Sequence, residues 1–163
     1  MIARMLSFVL CLCAGFASAQ TTDLRKLDTA NSASVWKAVG RIEFGRLGFC
    51  SGTLIAPDLV LTAAHCVYRG RTTETFSPEM ITFQAGFRNG EAVTTRRAVA
   101  VEPHSEFDPV APLTERNVTF DVALIQLDQP ISTFDIAPFY VSHDAVRQGP
   151  VSVVSYGKGR ADV

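Results

Sequence analysis

The chain has 163 residues, with 15 Lys and Arg against 16 Asp and Glu, a formal net charge of −1. So even a balance leaves no basic footprint for nucleic acid or for an anionic membrane surface, and neither is expected as a partner. Four cysteines are present, two of them, Cys11 and Cys13, within the first nineteen residues.

Those nineteen residues read as an export signal. Arg4 supplies a short positive region, Leu6 to Phe16 an apolar run, and Ala17-Ser18-Ala19 a small-residue cleavage site before Gln20. The run is too short and wrongly flanked for a membrane span. Cys11 and Cys13 each follow Leu, which argues against a lipid-modified cysteine, and no membrane anchor is expected elsewhere. The expectation is a secreted or periplasmic protein. Removing nineteen of the 163 residues leaves 144, with 14 basic and 16 acidic side chains and two cysteines, Cys50 and Cys66. An oxidising compartment favours a bridge between these two. They enclose fifteen residues, a loop whose closure is worth about 3 kcal/mol in the chain-entropy picture. Two buried free thiols are the alternative, and a zinc site sharing His65 is another, although it stops short of four protein ligands.

From Val35 onward, short apolar or alternating runs are punctuated by Gly, Pro, Asn and Asp, the pattern of an all-β chain. Strands are predicted at 37–44, 50–55, 59–62, 81–86, 92–101, 122–127 and 151–156. In the fifth, Val93, Thr95, Arg97, Val99 and Val101 alternate with Thr94, Arg96, Ala98 and Ala100, the period-2 mark of a half-buried strand. Arg96-Arg97 within it reads as a solvated face. Ala56-Pro57-Asp58 is a turn signal and Arg88-Asn89-Gly90 a hairpin signal. No long amphipathic helix follows the signal, though Ala63–Tyr68 has room for one turn.

The segment from Cys50 to Cys66, CSGTLIAPDLVLTAAHC, resembles the histidine region of trypsin-like (chymotrypsin-fold) serine proteases. Phe120-Asp121-Val122-Ala123-Leu124-Ile125-Gln126-Leu127 resembles that family's buried-aspartate segment, and Val39-Gly40-Arg41-Ile42 after Trp36 its opening strand. The resemblance implies an antiparallel Greek-key β-barrel, the first of a double barrel, plus the start of the second. The domain reading follows: 1–19 signal, 20–34 N-terminal arm or pro-segment, 35–129 first barrel, and 130–163 crossover and opening strand of barrel two. A whole two-barrel enzyme needs roughly 200–250 residues. The chain as given is therefore expected to be an N-terminal portion, monomeric when complete.

The chemistry implied by the resemblance is the family's: a serine hydroxyl activated by imidazole, the imidazole fixed by a carboxylate. His65 is the implied general base and Asp121 its orienting carboxylate, acting on polypeptide substrates with neither metal nor organic cofactor. Each has a plainer reading, His65 as a satisfied histidine and Asp121 as a loop end. Burying a carboxylate before Val-Ala-Leu-Ile, however, is expensive without a partner. Ser132, Ser142, Ser152 and Ser155 lack the glycine-rich setting of a nucleophile, and Ser155 stands where the family usually has glycine. No nucleophile is assigned, and the chain as given is expected to lack serine-nucleophile proteolysis. His104 reads as structural, His143 as solvent-facing and Trp36 as core. Asn117-Val118-Thr119 matches a glycosylation acceptor, a motif frequent by chance. No Ile-Val-Gly-Gly-type N-terminus occurs. Arg25-Lys26 is a candidate processing site or merely a solvated pair. Two alternatives stand beside the peptidase reading: a non-catalytic secreted binding module on a protease-like barrel, and a glutamyl-endopeptidase-like enzyme.

Overall fold

The computed structural model describes residues 33–142 and 151–157. The expected export signal, Arg25-Lys26 and His143 lie outside the described residues.

Six strands form a closed antiparallel barrel in the order β1-β2-β3-β6-β5-β4. They are β1 (Val39–Phe44), β2 (Phe49–Ala56), β3 (Leu59–Thr62), β4 (Ile81–Ala85), β5 (Thr94–Pro103) and β6 (Ala123–Leu127). The adjacency of β3 to β6 and of β1 to β4 makes it the Greek-key barrel expected. Alternation sets the inner face. Ile42 and Phe44, Gly52 and Leu54, Val60 and Thr62, Ile81 and Phe83, and Ala123, Ile125 and Leu127 point inward along their strands. Phe83, Ile42, Leu54, Ile81, Ile125 and Val60 are fully buried, each worth roughly 1.5–3 kcal/mol on removal from water. Thr62, the polar member of this interior, donates its hydroxyl proton to the Ser51 carbonyl at 2.8 Å.

Two glycines let this small barrel close. Gly40 and Gly52 face one another across the β1–β2 ladder. A Cβ on Gly40 would lie 2.3 Å from Phe83 Cε2 and 2.7 Å from the Gln84 carbonyl oxygen. A Cβ on Gly52 would meet Ile42 Cδ1 at 2.5 Å and Val60 Cγ1 at 2.7 Å. The hairpin at Arg88-Asn89-Gly90 forms as expected, with Asn89 and Gly90 both at positive φ, the arrangement of a type I′ turn.

The fifth strand corrects a simple alternation. Thr94, Arg96 and Ala98 are the less exposed set at its start, but a register shift between Ala98 and Ala100 moves the phase, so that Val101 and Pro103 face inward. One extra residue at a bulge exchanges the two faces. Arg96 is consequently half-buried rather than solvated, donating to Thr94 Oγ1 at 2.8 Å and to the Thr95 and Pro130 carbonyls. Arg97 does face water and pairs with Asp128.

The chain leaves the barrel through Ile131 and Ile136, both buried in its core, and Phe139 N–H bonds the Leu54 carbonyl. Trp36, half-buried, packs edge-to-face on Phe139 with centroids 5.7 Å apart. Residues 151–157 form no ladder among the described residues, so the strand expected at 151–156 is not made there. A strand is stable only when a neighbour satisfies its backbone. Here Tyr156 is the anchor: its N–H bonds Ser51 Oγ at 2.7 Å and its hydroxyl bonds the Phe87 carbonyl at 2.8 Å. Val151 and Val153 stay exposed.

Candidate active site

The turn after β3 is built from small residues, and this decides what His65 can do. Helix α1 (Ala64–Val67) is a single turn. Ala64 and Val67, three apart and so on one side of that turn, are fully buried against the barrel. His65 between them is turned to solvent, while Cys66 is half-buried and packs against the core. Cys66 is bonded to Cys50 on β2, with Cα atoms 6.3 Å apart, so the expected disulfide is present.

Asp121 arrives from the other side of the same corner. Helix α2 (Glu115–Thr119), a short helix that periodicity did not announce, is capped by Thr114, whose hydroxyl accepts from Asn117 N–H at 3.2 Å. The chain then turns through Phe120 and enters β6. The register pair Thr62↔Ala123 sets the end of β3 beside the start of β6. Residues 56 apart in sequence thereby meet. Asp121 Oδ2 lies 2.6 Å from His65 Nδ1, and Oδ1 accepts the His65 backbone N–H at 2.8 Å. A single carboxylate holds both the ring and the backbone that carries it.

The consequence for the imidazole is specific. A carboxylate only accepts, so Nδ1 carries the proton in this contact and the lone pair of the neutral ring is at Nε2. The Asp121 side chain is 19% exposed and that of His65 64%. The orienting group is shielded while the ring opens to solvent, the disposition of a proton acceptor held in one tautomer. Nε2 also lies 3.5 Å from Cys66 Sγ.

A cleft of about 420 Å³ opens beside the pair, lined by His65, Asp121, Gly70 and Arg71 and by a wall from Phe107 to Val118. That wall is braced twice. Arg71 donates to the Val110 carbonyl at 2.8 Å and to that of Ala111 at 3.3 Å, while Asp108 Oδ1 accepts the N–H groups of the same two residues. Asn117 joins by donating to the Asp108 carbonyl and accepting from Asp108 N–H. The side-chain amide of the apparent glycosylation motif is thus engaged in the wall. Sequence reasoning missed this wall; its legible signals were the turn residues Asp108-Pro109 and a capping Thr three residues before Asn117. A separate cavity of about 440 Å³ around Trp36, Phe87 and Tyr156 includes neither His65 nor Asp121.

The other candidates lie apart. His104 Nδ1 accepts from Glu106 N–H at 3.2 Å and its ring stacks on Phe120, a structural use. Ser132 Oγ caps a turn by accepting from Phe134 N–H. Ser152 and Ser155 are exposed on the unpaired arm.

Against known proteins, the Trypsin family model matches residues 27–163. Mouse serine protease 56 is 35% identical over 100 residues, 61% of this chain and 15% of that protein. Clotting factor C of Tachypleus tridentatus is 29% identical over 118 residues, covering 65% of this chain and 11% of its own length. The chain thus spans less than a fifth of either relative. Among solved structures, the scabies mite inactivated protease paralogue S-D1 aligns with a TM-score of 0.53 at 17% identity, over 73% of this chain and 46% of its own. Protease Anisep from Arthrobacter nicotinovorans gives the same TM-score at 21% identity, over 70% and 53%. At such identities these two speak for the fold alone. The barrel, its histidine corner and a family match covering most of the sequence agree, and the chain belongs to the Trypsin family of serine proteases.

Proposed function

We propose that this chain supplies the general base and the orienting carboxylate of a serine endopeptidase. His65 takes the proton of the attacking serine hydroxyl at Nε2 and later returns it to the leaving amine. Asp121 keeps the Nδ1–H tautomer and stabilises the imidazolium formed in between. The acyl group passes to the serine and then to water. No serine of the 163 is assigned as the nucleophile, and residues 130–163 are assigned to the crossover and the opening of a second barrel. Export is assigned to residues 1–19.

The observation that carries this reading is the double contact of one Asp121 carboxylate with the ring and backbone of His65. The barrel does not carry it, since one fold hosts both active and inactive members, as the inactivated mite paralogue illustrates.

The test is fluorophosphonate labelling of the protein as its gene encodes it. Labelling of a serine that disappears in His65→Ala is expected. Turnover should fall on the order of 10⁴-fold in Asp121→Asn, a magnitude taken from the family's template enzyme rather than from this geometry. Absence of labelling with the His65–Asp121 pair intact favours the non-catalytic binding module. For export, the protein recovered outside the producing cytoplasm is expected to begin at Gln20.

A further inference from the structure

The His65 corner contains a ligand set of which the peptidase reading uses only His65. Cys50, Cys66 and His65 each place a ligand atom within 4.8 Å of the other two. While the sulfurs are bonded to one another they offer no thiolate. We propose that reduction of the Cys50–Cys66 bridge turns this corner into a Cys₂His site for zinc, held by both sulfurs and His65 Nε2.

Three independent features point there. The first is spacing. Ligands about 2.3 Å (sulfur) and about 2.0 Å (nitrogen) from a tetrahedral zinc are roughly 3.5 Å from each other, and Cys66 Sγ already lies 3.5 Å from His65 Nε2. The two sulfurs need to part to about 3.8 Å for the same geometry. Backbones whose Cα atoms are 6.3 Å apart allow this by side-chain rotation. The second feature is the tautomer. A zinc-bound imidazole usually donates its other N–H to a carboxylate, which fixes the ring and raises its basicity, and Asp121 holds Nδ1 in that way at 2.6 Å. The third is access. His65 is open to solvent and both cysteines are half-buried, so a reductant and a cation can reach the site. Three protein ligands and a water complete the open type of zinc site.

The chemistry balances with a dithiol as reductant. Its thiolate attacks one bridge sulfur, expelling the other cysteine and forming a mixed disulfide. Its second thiol then attacks the reductant's own sulfur in that mixed disulfide and releases the first cysteine. The reductant leaves as its own disulfide, two electrons poorer, and Cys50 and Cys66 each carry a proton. Zinc then displaces both protons to solvent and forms two Zn–S bonds and one Zn–N bond. Resting on the catalytic reading, one consequence is that a metal-held Nε2 accepts no proton. The reduced, loaded state would be inactive, and reoxidation would reverse it.

The test reads binding and not activity, so it can fail independently of that reading. The chain is reduced, freed of reductant under anaerobic conditions and titrated with cobalt(II), then with zinc. One equivalent of cobalt per reduced chain is expected, with the spectrum of a tetrahedral thiolate site, displaced by zinc and absent from the oxidised chain. Affinity should fall at least tenfold in His65→Ala and 10–100-fold in Asp121→Asn, and stay unchanged in His104→Ala. Uptake equal in wild type and His65→Ala overturns the proposal, as does no uptake after reduction. Circular dichroism of the loaded reduced chain guards against an unfolded peptide chelating through its thiols: a loaded chain lacking the native spectrum also overturns it.

Discussion

At the scale of single residues, Asp121 does two jobs that substitutions can separate. Its Oδ1 accepts the His65 backbone N–H and its Oδ2 the ring. Asparagine keeps one acceptor, which suits the backbone bond, but turns an amide donor toward Nδ1. The ring must then offer a lone pair there, and its proton moves to Nε2. Asp121→Asn should therefore fold normally while the imidazole ¹⁵N spectrum changes from the Nδ1–H to the Nε2–H tautomer, as in the family's template. An unchanged tautomer would mean that Asp121 does not control the ring. Gly40 is the corresponding test of packing. Its missing side chain leaves space that the Phe83 ring and the Gln84 carbonyl occupy, and a strand carbonyl cannot retreat without breaking its ladder. Gly40→Ala should cost about 1–3 kcal/mol, read as a lower urea midpoint at unchanged slope.

At the scale of elements, the wall of the cleft owes its form to side chains more than to regular structure. Arg71 grips the carbonyls of Val110 and Ala111 while Asp108 grips their amides. Hydrogen bonds to charged groups are worth about 1.5–3 kcal/mol, but exposure places these at the lower end. In Arg71→Ala the amides of Val110 and Ala111 should exchange hydrogen at least tenfold faster. Those of Ile42 and Ile125, inside the ladders, should stay as they are, because local opening need not involve the barrel. Uniformly faster exchange would place Arg71 in global stability instead. The bulge in β5 shows the same dependence on partners. Alternation along 92–101 marks a strand, but which residues face the core beyond Ala98 depends on how β6 pairs with it.

At the scale of the whole molecule, the barrel closes on itself, with β4 returning to β1, and has no free edge within its six strands. The disulfide adds a restraint on the unfolded chain. Replacing Cys50 and Cys66 together by Ala should lower stability by about 3 kcal/mol while leaving the far-UV spectrum of the barrel intact at low temperature. A loss near zero would mean that strain in the bridge offsets its entropic gain. Loosening of the His65 turn should accompany the loss, because Cys66 ties that turn to β2.

Six of the predicted strands were legible in the sequence, to within about two residues at either end, because alternation is a local property that each strand carries in its own residues. The histidine turn was legible through the resemblance of residues 50–66 to the trypsin-like histidine region, and the two cysteines remaining after residue 19 had one partner each. Tertiary structure alone decided the rest. The Thr62↔Ala123 register brought Asp121 to His65; the resemblance implied that meeting, but no local pattern spans 56 residues. The arm at 151–157 has the composition of a strand yet makes no ladder among the described residues, since pairing belongs to two segments and not to one. The cleft wall depends on Arg71 reaching Val110 across 39 residues, a long-range contact that periodicity does not encode. Local chemistry set what each segment is able to become, and the partners brought to it by the barrel determined what it became.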